Sequence, residues 1–187
     1  LYQADHFEDA LSVEEAQLSM MRRLGASEQN LLIAQSNLAN TYQMLGQHEK
    51  ALRMRQDVYS GYLKTKGELH IVTLREAFNY ASGLVDLKRF KEAKSLLRKT
   101  IPVARSVLGD NHRLTFRMRS NYAEALYKDD ATLDDLREAV TTFEDTERIA
   151  RRVLGGAHPL TVQIEGDLQS ARVALHAREA SPPRGGA

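Results

Sequence analysis

Leu154-Gly155-Gly156-Ala157-His158-Pro159-Leu160-Thr161 decides how this chain folds, because its marks return at fixed distances upstream. A Leu-Gly pair or a near equivalent also stands at Leu24-Gly25, Lys66-Gly67 and Leu108-Gly109, so successive glycines are 67 − 25 = 42, 109 − 67 = 42 and 155 − 109 = 46 residues apart. Three residues after each of the last three glycines comes His70, His112 or His158, and six after comes Thr73, Thr115 or Thr161. Twelve after the first three comes an asparagine that opens a short string: Asn37-Leu38-Ala39, Asn79-Tyr80-Ala81 and Asn121-Tyr122-Ala123. Ala51 and Ala93 fall 26 residues after their glycines, and Ala139 falls 30 after its own because four residues are added in between. Columns that hold register in this way are an internal repeat, and a period of this length predicts stacked supersecondary units.

Each unit reads as two helices. Leu74, Ala77, Ala81 and Leu84 step by three, four and three, which marks one buried face of a first helix. Phe90, Ala93, Leu97, Ile101 and Ala104 do the same for a second. The small residues Ala39, Ala51, Ala81, Ala93 and Ala123 suit close helix approach. Leu45-Gly46-Gln47-His48 and Asp86-Leu87-Lys88-Arg89 are turn-prone and short enough to force the paired helices antiparallel. The expected fold is all-α, a right-handed α-solenoid of antiparallel helix pairs. It comprises a partial repeat over 1–24, repeats over 25–66, 67–108 and 109–154, and a capping helix over 155–179. Leu1-Tyr2 reads as the last turn of a helix, which predicts further repeats upstream. The tail 180–187, rich in proline and glycine and poor in apolar groups, is expected to be disordered.

Formal net charge is +1 from 26 basic and 25 acidic residues spread along the chain, which gives little support to a phosphate-tracking surface. Nucleic acid, membrane and small-molecule partners are not expected. With no cysteine there is no thiolate nucleophile and no disulfide framework, which suits a reducing compartment, and cytoplasm is the expected location. No apolar run reaches the ~18 residues of a membrane span. No phosphate loop, His-Glu-x-x-His helix or nucleophile elbow occurs, so neither catalysis nor a cofactor is expected. Asp129, Asp130, Asp134 and Asp135 invite a calcium reading but lack the glycine and closing glutamate of a calcium loop. Thr132 followed by Asp134 and Asp135 reads as a helix cap with acids at the positive end of the dipole. Pro102, inside a second helix, removes one backbone bond and is expected to kink it. His70, His112 and His158 stand one per repeat, which places them at repeat junctions rather than around one metal ion. Tyr42, Tyr80 and Tyr122 read as packing residues with their hydroxyls near water.

A 42-residue helical hairpin carrying LG-x-x-H-P-x-T, then N-L-A, then E-A resembles the kinesin-light-chain type of tetratricopeptide repeat (TPR). The fullest opening is Leu154 to Thr161, and the fullest middle is Asn37-Leu38-Ala39 with Gly46 and Glu49-Lys50-Ala51. Departures are Glu28 where the histidine belongs, proline after His158 alone, and Asp167 and Gln169 where asparagine and alanine belong. The last change predicts a terminal helix with a more polar outer face. The resemblance implies a scaffold or adaptor whose concave groove, lined by first helices, takes an extended peptide or a helix of another protein. It also implies that Asn37, Asn79 and Asn121 contact the partner's backbone. A regulatory segment of a larger signalling ATPase or enzyme is the alternative.

Helical spacing sets Arg75, Asn79, Ser82 and Asp86 on one stripe, repeated as Arg117, Asn121, Glu124 and Lys128 and preceded by Ile33, Asn37, Asn40 and Met44. An asparagine amide offers both a donor and an acceptor to an extended chain whatever its side chains. Arg75 and Arg117 could each fork onto a carboxylate, which makes an acidic segment the expected partner. Open beside these readings stand intramolecular roles: asparagines that satisfy neighbouring helices, and arginines paired within the protein.

Overall fold

The computed structural model describes residues 2–128 and 131–180, with side chains from residue 7 onward. Asp129, Asp130 and the expected tail beyond Ala180 lie outside the described residues. All the secondary structure described is helical: α1 (Tyr2–Arg23), α2 (Glu28–Met44), α3 (His48–Lys66), α4 (Ile71–Asp86), α5 (Phe90–Leu108), α6 (Arg113–Tyr127), α7 (Leu133–Leu154) and α8 (Pro159–Ala180). They fall into two units, Leu1–Leu87 and Lys88–Ala187. The expectation that Leu1-Tyr2 closes a helix is not met, because Tyr2 lies in the 22-residue α1, which runs on to Arg23. Nothing from Tyr2 to Arg23 is glycine or proline, so no residue interrupts the helix there.

In the first unit α1 packs on α2, α2 on α3 and α3 on α4. Leu18, Leu38, Tyr42 and Ala51 form one buried cluster, and Leu32, Val58 and Tyr62 form the next. Ala39, Ala51, Ala77 and Ala81 are wholly buried, so backbones approach where these small side chains stand. Gly61 marks a tight crossing: a Cβ there would lie 2.5 Å from Leu32 Cδ2. Tyr59 and Tyr80 stack with ring centroids 6.2 Å apart.

In the second unit α6 packs on α5, α7 and α8, and α7 packs on α8. Its core joins Phe116, Ala123, Phe143, Ala150, Ile164 and Ala171. Tyr127 meets Phe143 edge to face at 6.0 Å. α5 runs through Pro102 to Leu108, with Ala93, Leu97 and Ala104 inward and Pro102 exposed. α7 opens on a reciprocal cap: Thr132 Oγ1 accepts from Asp135 N at 3.1 Å, and Asp135 Oδ2 accepts from Thr132 N at 3.3 Å. The other Asp135 oxygen takes Lys94 Nζ at 2.8 Å, which with the Thr132 bonds holds this carboxyl below its usual range.

The recurring motif is a corner between helices. Gly67, Gly109 and Gly155 have φ of 80°, 85° and 89° with ψ of 171°, 164° and 156°, a region open essentially to glycine alone. Each donates its backbone N–H back into the helix it ends, to Leu63, Arg105 and Arg151 respectively. The histidine three residues on then starts the next helix. Nδ1 of His70, His112 and His158 accepts the N–H of Val72, Leu114 and Leu160 at 3.2, 3.1 and 3.1 Å. Each imidazole therefore caps one of the N–H groups that a helix start leaves without a partner. In the first corner, where Glu28 replaces histidine, Ser27 caps instead by accepting from Asn30 N. The threonines sit inside: Thr73 Oγ1 donates to Tyr62 O and Thr115 Oγ1 to Gly109 O, while the buried Thr161 hydroxyl has no partner among the described residues.

Candidate functional site

In the first unit α2 and α4 carry two of the expected stripes. Ile33, Asn37, Asn40 and Met44 are all exposed on α2. The side-chain amides of Asn37 and Asn40 make no hydrogen bond to any described residue. Ser36 Oγ donates to Glu76 Oε2 at 3.2 Å and Gln43 Nε2 to Asp86 Oδ2 at 2.9 Å, so the two first helices are joined by polar bonds as well as through α3.

Glu76 organises the α4 stripe. Its side chain is 3% exposed, yet it holds three donors: Arg75 Nε at 3.2 Å on one oxygen, and Asn79 Nδ2 at 3.0 Å and Ser36 Oγ at 3.2 Å on the other. A buried carboxylate needs such donors, since an unpaired one is strongly disfavoured. Asn79 is therefore engaged within the protein through its NH2 group. Arg75 Nε is engaged as well, although the arginine side chain remains 58% exposed. Beside them the Arg55 guanidinium of α3 is pushed down by burial, against the pull of Asp86 and Glu76, and its Nε has no partner among the described residues.

On α1 and α2 a hollow of about 180 Å³ opens, and Asn37 lines it together with Glu14 and Asn30. One oxygen of Glu14 is shut off from solvent with no hydrogen-bond donor.

In the second unit Arg117, Asn121, Glu124 and Lys128 follow one another on α6. Arg117 and Lys128 are exposed, while Asn121 and Glu124 are half-buried. Burial, then the charge of Arg113, lowers the Arg117 guanidinium from its ordinary value. Lys128 Nζ lies 4.9 Å from the Tyr127 ring centre, and the Tyr127 hydroxyl does most to raise it. Asp167, which stands in the asparagine column of α8, is half-buried; burial raises its carboxyl against the opposing charge of Lys128. Asn37 and Asn79 thus belong to one unit and Asn121 to the other. Ser82 lies half-buried on α4.

The expected packing tyrosines also carry polar bonds. Tyr42 donates to Glu15, which with burial pushes the phenol up to about 12. Tyr122 Oη donates to Glu138 at 2.7 Å and accepts from Arg98 Nε and Nη2. Glu76 and Glu14 escaped the sequence reading. Glu76 shares its register with Ala34 and Met118, and that break of pattern, an acid in an apolar column, is a signal that could have found it. Among the described residues no three of His, Cys, Asp and Glu gather around a metal position, and no helix is long and apolar enough to cross a membrane.

Residues 31–65 and 74–114 match the family model described as Tetratricopeptide repeat. No curated protein matches the chain in sequence. Solved structures do. The kinesin-light-chain "nearly identical TPR-like repeats" of Podosopora anserina align in a Q17M form with a TM-score of 0.79 and 22% identity, covering 95% of this chain and 82% of that one. A second structure of the same repeats aligns with a TM-score of 0.77 and the same identity and coverage. BtubC (BKLC) from P. vanneervenii aligns with a TM-score of 0.68 and 16% identity over 97% of this chain and 78% of that one. At these identities the likeness is one of fold.

Proposed function

We propose that this chain, whose residues 31–65 and 74–114 match the Tetratricopeptide repeat model, is a protein-interaction scaffold of the kinesin-light-chain kind that holds an extended peptide or a helix of a partner along its first helices. The observation that carries this reading is the α2 stripe. Asn37 and Asn40 are exposed, one helical step apart, with amides uncommitted to any described residue. Such amides can pair with the N–H and C=O of a bound backbone. Flanking them, Ile33 and Met44 leave 46% and 63% of their surface in water, and covering that surface would add apolar contact.

Asn79 and Arg75 take a different part. Glu76 takes one N–H of the Asn79 NH2 group, which leaves the second N–H and the amide oxygen for a partner. The preference for an acidic segment, expected from the two arginines, is weaker at Arg75, whose Nε already serves Glu76. Groove contacts at Ser82, Arg117, Asn121, Glu124 and Lys128 belong to the same proposal. A scaffold of this kind works by presenting side chains from successive rigid hairpins to one ligand, and needs no catalytic group.

The test is selection of binding peptides from a random displayed library on the wild-type chain, followed by affinity measurement on Asn37→Ala and Asn40→Ala. A loss of about tenfold or more with an unchanged melting temperature is expected, one such factor being 1.4 kcal/mol. Failure to select any peptide, or full affinity in both variants, would refute the proposal.

A further inference from the structure

The hollow on α1 and α2 has a chemistry that the scaffold reading alone does not use. Its apolar wall is Met21, Ile33 and Ala34, and its polar side is Glu14, Gln17, Asn30 and Asn37. None of these four polar side chains makes a hydrogen bond to a described residue. One carboxylate oxygen of Glu14 is shut off from water with no donor among the described residues to replace it, a state that costs free energy and that a turn of the carboxylate toward a cation or N–H group in the hollow would relieve. Among the described residues no lysine or arginine lines the hollow. At about 180 Å³ it is smaller than the roughly 300–1,000 Å³ of a small-molecule pocket, so its size suits a single side chain.

We propose that this hollow seats an arginine side chain of the bound partner. The proposal rests on the scaffold reading, and it names what the first unit recognises. An arginine matches both halves of the site. Its methylene stem would lie on Met21, Ile33 and Ala34, and its guanidinium would meet Glu14 and the amide oxygens of Gln17, Asn30 and Asn37. The planar guanidinium carries five N–H donors and can pair with a carboxylate through two parallel bonds, whereas lysine brings three donors on a point charge. A carboxylate that shares the hollow with three amide oxygens can take up more of these donors than a lysine ammonium brings, which favours the guanidinium. Asn37 contributes to the seat and also stands on the exposed stripe, which ties the arginine to the path of the bound backbone.

The test uses peptides selected from the random library on the whole chain. Arginine should be enriched at one position. Replacing it with citrulline, which keeps the shape and removes the charge, should weaken binding tenfold or more, and lysine should restore only part of the loss. Glu14→Gln should weaken the arginine peptide to a similar degree and remove the difference between arginine and citrulline. Its melting temperature should not fall below the wild-type value, because the substitution removes a carboxylate oxygen that is buried without a donor among the described residues. Absence of arginine enrichment, equal binding of the citrulline or lysine peptide, or an unchanged affinity in Glu14→Gln would each overturn the arginine seat. Peptides that still depend on Asn40 but show no basic preference would leave the scaffold reading standing and remove this one. If no peptide is selected, both fall.

Discussion

Gly155→Ala and Gly166→Ala place the same methyl group at the two ends of one conformational argument. Gly155 ends α7 at φ 89° and ψ 156°, and a Cβ built there meets nothing within 4 Å. Any cost must therefore come from the backbone, and this Gly-only region costs other residues about 1–3 kcal/mol. Alanine also restricts the unfolded chain, which returns about 0.4–1 kcal/mol. The net expectation for Gly155→Ala is a loss of about 1–2 kcal/mol, or roughly 2–8 °C in melting temperature for a protein of this size. Gly166 lies inside α8, again with open space around its added Cβ. There alanine should gain about 0.5–1 kcal/mol, because glycine is the poorer helix former. Urea titration followed by circular dichroism measures both variants against the wild type. If Gly155→Ala matched or exceeded wild-type stability, the corner geometry described for the repeat junction would be wrong. If both variants moved in the same direction, the cause would lie elsewhere than in φ.

Other substitutions test other levels of the structure. Ala81 is wholly buried, so Ala81→Leu should overfill a helix contact and cost about 1–3 kcal/mol in thermal unfolding; unchanged stability would contradict the assigned face. Lys88 holds φ at 58°, where a residue with a Cβ is strained by about 1–2 kcal/mol. Lys88→Gly should therefore gain about 0.5–1 kcal/mol after the entropy of the freer unfolded chain is subtracted, and a loss would refute strain at this turn. Asp135 has its folded pKa depressed, chiefly by Lys94, so its contribution to stability is present above the unfolded value near 3.9 and is lost as pH falls through the folded one. Lys94→Met should lower the melting temperature at neutral pH and shrink its fall on acidification; parallel curves for variant and wild type would exclude this pairing.

Much of the fold was legible because it is local. A glycine that alone can occupy the corner conformation, a histidine that caps the next helix, and alanines at helical spacing are read from neighbours only a few residues apart. Gly109, His112 and Ala123 each take the part their register implies. The run of α1 from Tyr2 to Arg23 was missed, because nothing at Tyr2 tells how far a helix continues beyond it. The candidate site was legible only as stripes. Helical periodicity says that Asn37 and Asn79 share a register, yet one amide makes no bond to a described residue and the other is held by a buried acid.

By itself the sequence determined the repeat period, the helix corners and the buried faces, since these follow from backbone preference and apolar spacing within a single hairpin. The tertiary structure alone decided which polar groups are spent and which remain to be used. Ser36 reaches Glu76 across 40 positions of chain, and Glu14 on α1 faces Asn37 on α2 around a hollow that neither helix forms alone. Such partnerships depend on how two helices settle against each other, and that is set by the summed packing of many side chains rather than by any local pattern.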